Sequence, residues 1–351
     1  MKDFNQKTRI ILQLFLEHSV LHSSQVHDFL TQKNETTSLV TIKRELAKMV
    51  ALKYIFAHGN GRARAYSIST LGRLFTPIDE RVYCATEPDK RFGQTQFNFN
   101  LLSEVPQKIF SPREIETFKN ATKEYRQHTS NISPAIEKQE LERLIIELSW
   151  KSSKIEGNTY TLLDTERLIR ENKQARGHDP KEAVMILNHK DAFMFVRNNA
   201  KLFQKLTRAN LEQIHGLLIK KLDVKRGLRH TAVGVTGSTY RPLDNVYQIT
   251  EALEQLSSAT AHVQTPYAKA LIALLGLSYI QPFEDGNKRT ARMMANAILL
   301  AYRCAPLSYR SVDEQQYREA TLVFYEINSL VPFKKIFIEQ YLFAAKNYAV
   351  R

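Results

Sequence analysis

The chain has 351 residues, 43% of them hydrophobic, with a net charge of +14 and a pI near 9.6. That content suits a folded protein of two or three domains and excludes a wholly disordered chain, while the basic balance favours anionic partners, whether nucleic acid, nucleotide or an acidic protein face. Two cysteines, Cys84 and Cys304, are too few for a disulfide framework or a zinc site. Residues 1–7 lack the apolar core of a signal peptide, and the longest apolar run, residues 268–280, is too short to span a bilayer, so the expectation is a soluble cytoplasmic protein with no membrane partner.

Apolar residues keep a helical period at Ile10, Ile11, Leu14, Phe15 and Leu16, and again at Val26, Phe29 and Leu30 after Ser23-Ser24. A third helix is expected after Thr36-Thr37, with Val40, Ile42, Leu46 and Val50 inward and Lys43, Arg44 and Lys48 outward. Strands at residues 54–57 and 62–68 flank the turn His58-Gly59-Asn60-Gly61, a hairpin by its turn chemistry. Residues 1–75 thus resemble a winged helix-turn-helix. The resemblance implies that Thr37, Ser38, Thr41, Lys43 and Arg44 meet DNA from the third helix, with Arg62 and Arg64 on the wing. Winged helices also serve in docking and dimerisation, and both readings stand.

Residues 76–105 read as an irregular connector. Helix signals resume at Ser111-Pro112-Arg113-Glu114, a cap serine with a first-turn proline, for a helix expected to reach residue 127. From Glu140 the residues Leu141, Leu144, Ile145, Ile146, Leu148 and Trp150 are helical in period, and Gly157 suits a C-cap, so Ser152 and Glu156 share one face. Further helices are expected after Thr161, after Asp179-Pro180 and after Thr207, then over 267–280, 287–302, beyond Ser311-Val312-Asp313-Glu314, and over 332–348. Residues 234–242, rich in glycine, hydroxyls and β-branched side chains, read as a short hairpin.

The stretch Gln281-Pro282-Phe283-Glu284-Asp285-Gly286-Asn287-Lys288-Arg289-Thr290-Ala291-Arg292 has the makings of a phosphate site. Gly286 permits a sharp turn, and the unpaired N–H groups that open the next helix attract an anion. Arg289 and Arg292 share a face of that helix, and Asp285 is placed to hold magnesium between phosphates.

This stretch resembles the signature of the Fic (Fido) family, His-x-Phe-x-Asp/Glu-Gly-Asn-Gly/Lys-Arg-x-x-Arg, at every defined position but the first, where Gln281 replaces the family's histidine. Ser152-x-x-x-Glu156-Gly157 similarly resembles the family's inhibitory motif. The implied fold is mainly α: a Fic/Fido helical core over residues 106–348 with a small β-hairpin flap and an inhibitory helix ending near 157, plus the N-terminal winged helix. The implied activity is transfer of AMP from ATP, with Mg2+, to a protein hydroxyl. Asp285 would hold the metal. Gly286, Asn287 and Lys288 would form the anion hole, with the Asn287 side chain a further candidate donor; Arg289 and Arg292 would hold phosphates; Phe283 would plug the loop into the core. Thr236, Gly237 and Tyr240 of the flap would lie over the nucleotide, and Glu156 would pair with Arg292 to block the γ-phosphate.

A glutamine amide orients a hydroxyl but cannot take its proton near neutral pH, and loss of a general base costs about 10²- to 10⁴-fold in rate. No histidine can be placed beside Gln281 from sequence; His230 is nearest in a loop and reads as a surface residue. Four readings follow: an autoinhibited adenylyltransferase, weak or inactive, acting on an unknown target protein or on itself; a nucleotide-binding pseudoenzyme that regulates through DNA; an AMP-removing enzyme; and a DNA-binding or homodimerising scaffold.

Overall fold

The computed structural model describes residues 4–35 and 37–350; residue 36, expected to open the third helix, lies outside them, as does the side chain of Arg62. In chain order the elements are α1 (Gln6–Glu17), β1 (Leu21–His22), α2 (Ser23–Gln32), α3 (Leu39–Ala51), β2 (Ile55–His58), β3 (Ala65–Ile68), α4 (Thr70–Phe75), α5 (Glu80–Ala85), α6 (Pro112–Ser130), α7 (Pro134–Ile155), α8 (Leu162–Glu171), α9 (Pro180–Asn198), α10 (Arg208–Leu218), α11 (Val246–His262), α12 (Pro266–Ile280), α13 (Asn287–Ala301), α14 (Glu314–Ile327) and α15 (Val331–Asn347). The chain is mainly helical. Among the described residues no helix is long and apolar enough to cross a membrane.

Two compact units emerge. The first gathers residues 1–106, 235–241 and 319–334. Its three-stranded antiparallel sheet has the order β1-β3-β2, with Ile55 opposite Ile68 and Leu21 opposite Tyr66. The apolar faces of α1, α2 and α3 close on that sheet through Phe15, Leu30, Ile42, Leu46 and Met49, joined by Val323 and Ile327 from α14.

Three details differ from expectation here. Ser38 caps α3, its Oγ accepting from Thr41 N at 3.3 Å; Ile42, Leu46 and Met49 face inward, while Val40 is 60% exposed and Val50 half-buried. The hairpin connection absorbs a 3-10 turn, Gly61–Ala63, which shortens the second strand. Residues 76–105 contain α5 and the 3-10 turn Pro88–Lys90.

Residues 234–242 form no hairpin. They hold a turn, Ser238 N donating to Val235 O at 3.2 Å, and an isolated parallel bridge from Arg241 to Gln96. Charged partners satisfy this segment in place of a second strand. Ser238 Oγ donates to Glu326 Oε1 at 2.6 Å, and Arg91, itself paired with Glu326 at 3.3 Å, donates to Gly237 O.

The second unit comprises residues 107–234, 242–318 and 335–351. α6 opens with the expected capping box of Ser111 and Glu114. α7 starts at Pro134 behind a Ser133 cap, earlier than residue 140, because its first turns are polar and carry no apolar period. At the centre lies α12, buried from Tyr267 to Ile280 except at Lys269, an all-round apolar helix that needs cover on every side. It packs against α11 and α13, and α13 in turn meets α9 and α10.

Candidate functional site

Between α12 and α13 the chain reverses in a few residues, and the reversal is held from three sides. Gln281 ends α12 in the left-handed region (φ 51°, ψ 61°), its N–H still reaching Leu277 O at 3.0 Å, and Pro282 cannot continue the helix. Asn287 laces the turn from its far end. Its Oδ1 accepts from Phe283 N at 2.8 Å, and its Nδ2 donates to Phe283 O at 2.8 Å and to Gln281 Oε1 at 3.4 Å. Both ends of that amide are thereby used inside the loop, so the side chain is a brace rather than the expected anion-hole donor. Beneath the turn Arg229, 1% exposed, donates from Nε to Gln281 O at 2.6 Å and from Nη1 to Thr231 O at 2.7 Å, while its own N–H donates to Pro282 O at 3.0 Å.

Phe283 is buried and stacks on His215 at 3.6 Å with planes 5° apart. His215 Nε2 lies 3.0 Å from Asp285 O, which can only accept, so the ring carries its proton on Nε2. Burial, seconded by the charge of Arg289, pushes the His215 pKa down to about 4 and keeps the ring neutral. Gly286 stands at φ 78° as the N-cap of α13, and a Cβ there would lie 3.3 Å from Ile219 Cγ2 and 3.5 Å from Arg289 Nη2.

The first N–H groups of α13, from Asn287, Lys288 and Arg289, precede any intrahelical acceptor and form the anion-attracting end of the helix. Lys288 is half-buried beside them. Arg289 is 2% exposed in its side chain and bonds Asp285 Oδ2 at 2.8 Å through Nη2, while its buried Nη1 has no hydrogen-bond partner. Burial lowers the Arg289 pKa, opposed by the charges of Asp285 and Glu156.

Arg292, one turn on, meets the end of α7. It pairs with Glu156 Oε1 at 2.8 Å, donates from Nε to Ser152 Oγ at 2.9 Å and from Nη2 to Ser152 O at 2.8 Å, and lies 5.7 Å from the Tyr317 ring centroid. Burial alone would lower the Arg292 pKa, but the Glu156 carboxylate and the Tyr317 hydroxyl outweigh it and hold it raised. For Glu156, burial alone would raise the carboxyl, and Arg292, Lys288 and Arg289 together hold it below the usual range. Glu156 can reach Arg292 because α7 stops there. Gly157, at φ 98°, turns the chain so that its N–H and that of Asn158 return to Lys154 O and Ser153 O at 2.9 and 3.1 Å.

Ser152 is fixed in turn by His189, whose Nε2 lies 2.9 Å from Ser152 Oγ and whose Nδ1 lies 2.8 Å from Met185 O. The carbonyl demands a proton on Nδ1, so Nε2 accepts the serine hydroxyl and Ser152 Oγ keeps its lone pairs for Arg292. Burial, with the nearby charges of Arg289 and Arg292, pushes His189 down to about 3.

The structure thus brings Ser152, Glu156, Gly157, Gln281, Asp285, Gly286, Asn287, Lys288, Arg289 and Arg292 together in the second unit. The flap residues Thr236, Gly237 and Tyr240 belong to the first unit, where Tyr240 is 1% exposed and its ring packs on Tyr325, so it presents no face to a ligand. Thr41, Lys43, Arg44 and Arg64 are exposed in that unit, Arg64 lying 5.7 Å from the Tyr66 ring centroid, and His230 is exposed in the second. Sequence reasoning missed Arg229, His215, His189 and Tyr317, each distant in the chain from the motif it supports. Among the described residues no group of three or more His, Cys, Asp or Glu side chains is placed to hold a metal, and the turn carries two carboxylates, Asp285, 66% exposed in its side chain, and Glu284, 34% exposed.

Residues 205–299, which take in α10, the whole turn and all but the last two residues of α13, match the Fic/DOC family model. Over that stretch the chain is similar to Fic domains. Around it, 176 residues are 30% identical to protein adenylyltransferase Fic of Nematostella vectensis, covering 48% of this chain and 41% of that one. Over 168 residues the identity to protein adenylyltransferase Fic of Drosophila grimshawi is 29%, covering 46% and 34%. The chain therefore spans about two-fifths or less of the length of these relatives. The fold is that of solved Fic proteins. Fic-1 of C. elegans superposes with a TM-score of 0.55 at 17% identity, over 67% of this chain and 71% of that one. A Fic family protein of Desulfovibrio desulfuricans gives 0.56 at 21%, over 69% and 75%.

Proposed function

We propose that this chain is a Fic-type protein adenylyltransferase that binds ATP with Mg2+, is restrained by Glu156, and is weak or inactive in transfer because Gln281 stands where the family has its base. The observation that carries this reading is Arg292, a buried guanidinium beside the anion-attracting start of α13 whose charge is met by Glu156 at 2.8 Å. A phosphate at that place would exchange one anion for another. The buried, unpartnered Nη1 of Arg289 is a second donor in wait, since leaving it unmade is costly.

In this reading the α13 N–H groups, Lys288, Arg289 and Arg292 bind and orient the phosphates, and the Gln281 amide orients the target hydroxyl without accepting its proton. The residues fit Mg2+ in its usual mode of one carboxylate plus substrate phosphates, with Asp285 released from Arg289 as ligand. The ion, when bound, neutralises phosphate charge. Residues 1–75, read as a winged helix, would contact DNA through Thr41, Lys43, Arg44, Arg62 and Arg64. The second reading, a nucleotide-binding regulator without transferase activity, is favoured by one observation: the Gln281 amide accepts from Asn287, as a turn-bracing group does.

Radiolabelled ATP and magnesium, incubated with the wild type, Glu156→Gly and Glu156→Gly/Gln281→His proteins, separate these. AMP on protein in the Gln281 forms supports a working transferase. Label only after Gln281→His supports the regulator, and label in none, together with no ATP binding, refutes the nucleotide site.

A further inference from the structure

The end of α7 that carries Glu156 is gripped by residues that belong to no motif. Glu314, at the start of α14, pairs with Lys151 Nζ at 2.5 Å and Lys154 Nζ at 3.8 Å. Both lysines also lie 5.3 Å from the Trp150 ring centroid, which holds the cations in place for the carboxylate. One turn further along α14, Arg318 donates to Ile155 O through Nη2 at 2.6 Å and Nε at 3.2 Å. That oxygen is the last carbonyl of α7, and its peptide group continues directly into Glu156. Between the two, Tyr317 faces Arg292, the partner of Glu156, at 5.7 Å. Positions 314, 317 and 318 share one face of a helix. A single turn of α14 therefore touches the lysines before Glu156, the peptide beside it and the guanidinium it occupies.

We propose that Glu314 and Arg318 are positioning residues that clasp the end of α7 and set how firmly Glu156 occupies Arg292. The inference rests on the reading that Glu156 competes with nucleotide phosphate for that guanidinium. Glu156 is 20% exposed in its side chain and follows directly on the last residue of α7, so its grip depends on the backbone that presents it. Loosening the clasp weakens the internal competitor without touching the phosphate-binding residues.

The test is titration of a fluorescent ATP analogue with magnesium against Glu314→Gln, Arg318→Gln and the double variant, each with Glu156 present and with Glu156→Gly. With Glu156 present, the double variant is expected to bind about fivefold tighter than wild type, the lower end of ordinary coupling between sites. With Glu156→Gly in place, the same substitutions are expected to change nothing, since the group they act through is gone. A merely structural role would shift both backgrounds alike, and that result would overturn the proposal. Tighter binding by Glu156→Gly with no response to the clasp variants overturns the clasp alone; no tightening by Glu156→Gly overturns the underlying reading as well. Should the double variant not fold, the single Glu314→Gln variant carries the same comparison, its carboxylate being 31% exposed.

Discussion

Replacing Glu156 with glycine should move stability and nucleotide affinity in opposite directions. In the folded protein Arg292 has only 1% of its side chain exposed, and Glu156 is its counter-ion at 2.8 Å. Removing one partner of a buried pair costs about 3–5 kcal/mol when nothing else compensates. Here Ser152 continues to accept from Arg292 through Oγ and O, at 2.9 and 2.8 Å, and Glu156 is itself partly solvated. The expected loss is therefore about 2 kcal/mol, or about 4 °C in melting temperature. A phosphate that takes the vacated place recovers the same interaction, so ATP with magnesium should bind about 30-fold tighter, as 1.4 kcal/mol corresponds to a factor of ten. Thermal melts with and without ATP, followed by calorimetric titration, read both quantities. A variant that melts lower yet binds ATP within twofold of wild type would falsify the competition, because the charge would have been structural only.

Acid should weaken the fold before it touches the carboxylates. His189 and His215 have folded pKa values of about 3 and about 4 against an ordinary 6.5, so the unfolded chain binds more protons between those limits, and the stability they confer, present above about pH 6.5, is lost as pH falls toward 4 and 3. Between pH 7 and 5 each contributes a loss of about 2 kcal/mol, which melting curves should show; His189→Gln should flatten the slope, and an unchanged slope would discard the assignment. Glu156, held low, adds its own loss only below its ordinary 4.5. For the first unit, anisotropy titrations with duplex DNA at several salt concentrations should give a log–log slope that falls by about two when Lys43 and Arg44 both become alanine. Equal slopes would leave those residues off the DNA and favour docking.

Where a residue's neighbours in the chain decide its state, the sequence was readable. Ser111 with Glu114, Thr161 before α8 and Gly157 after α7 are local signals, and each does in the structure what its spacing suggests. The reversal between α12 and α13 was legible for the same reason, its parts lying within twelve residues. Val40 misled because the buried stripe of α3 runs through residues 42, 46 and 49 at helical spacings of four and three, which leaves residue 40 outward. Residues 234–242 have strand-like composition, yet Arg91 and Glu326, far off in sequence, supply the partners that a second strand would have given. Asn287 looked like a ligand donor because amides often are; only the folded turn shows both its ends occupied. The buried histidines and Arg229 gave no signal at all. Each sits in its own element as an ordinary residue and acquires a role through contacts made across the second unit.

The left-handed backbone at residue 281 sets how this protein can change. Arg229 on the carbonyl and the helix end on the N–H hold that conformation through the backbone, contacts that an exchange of the side chain leaves in place. Histidine is among the side chains that tolerate this conformation best after glycine. Glutamine and histidine codons differ by a single base. A chain shaped in this way keeps histidine at this position within one mutational step, and selection can cross that step in either direction while the backbone of the turn stays in place.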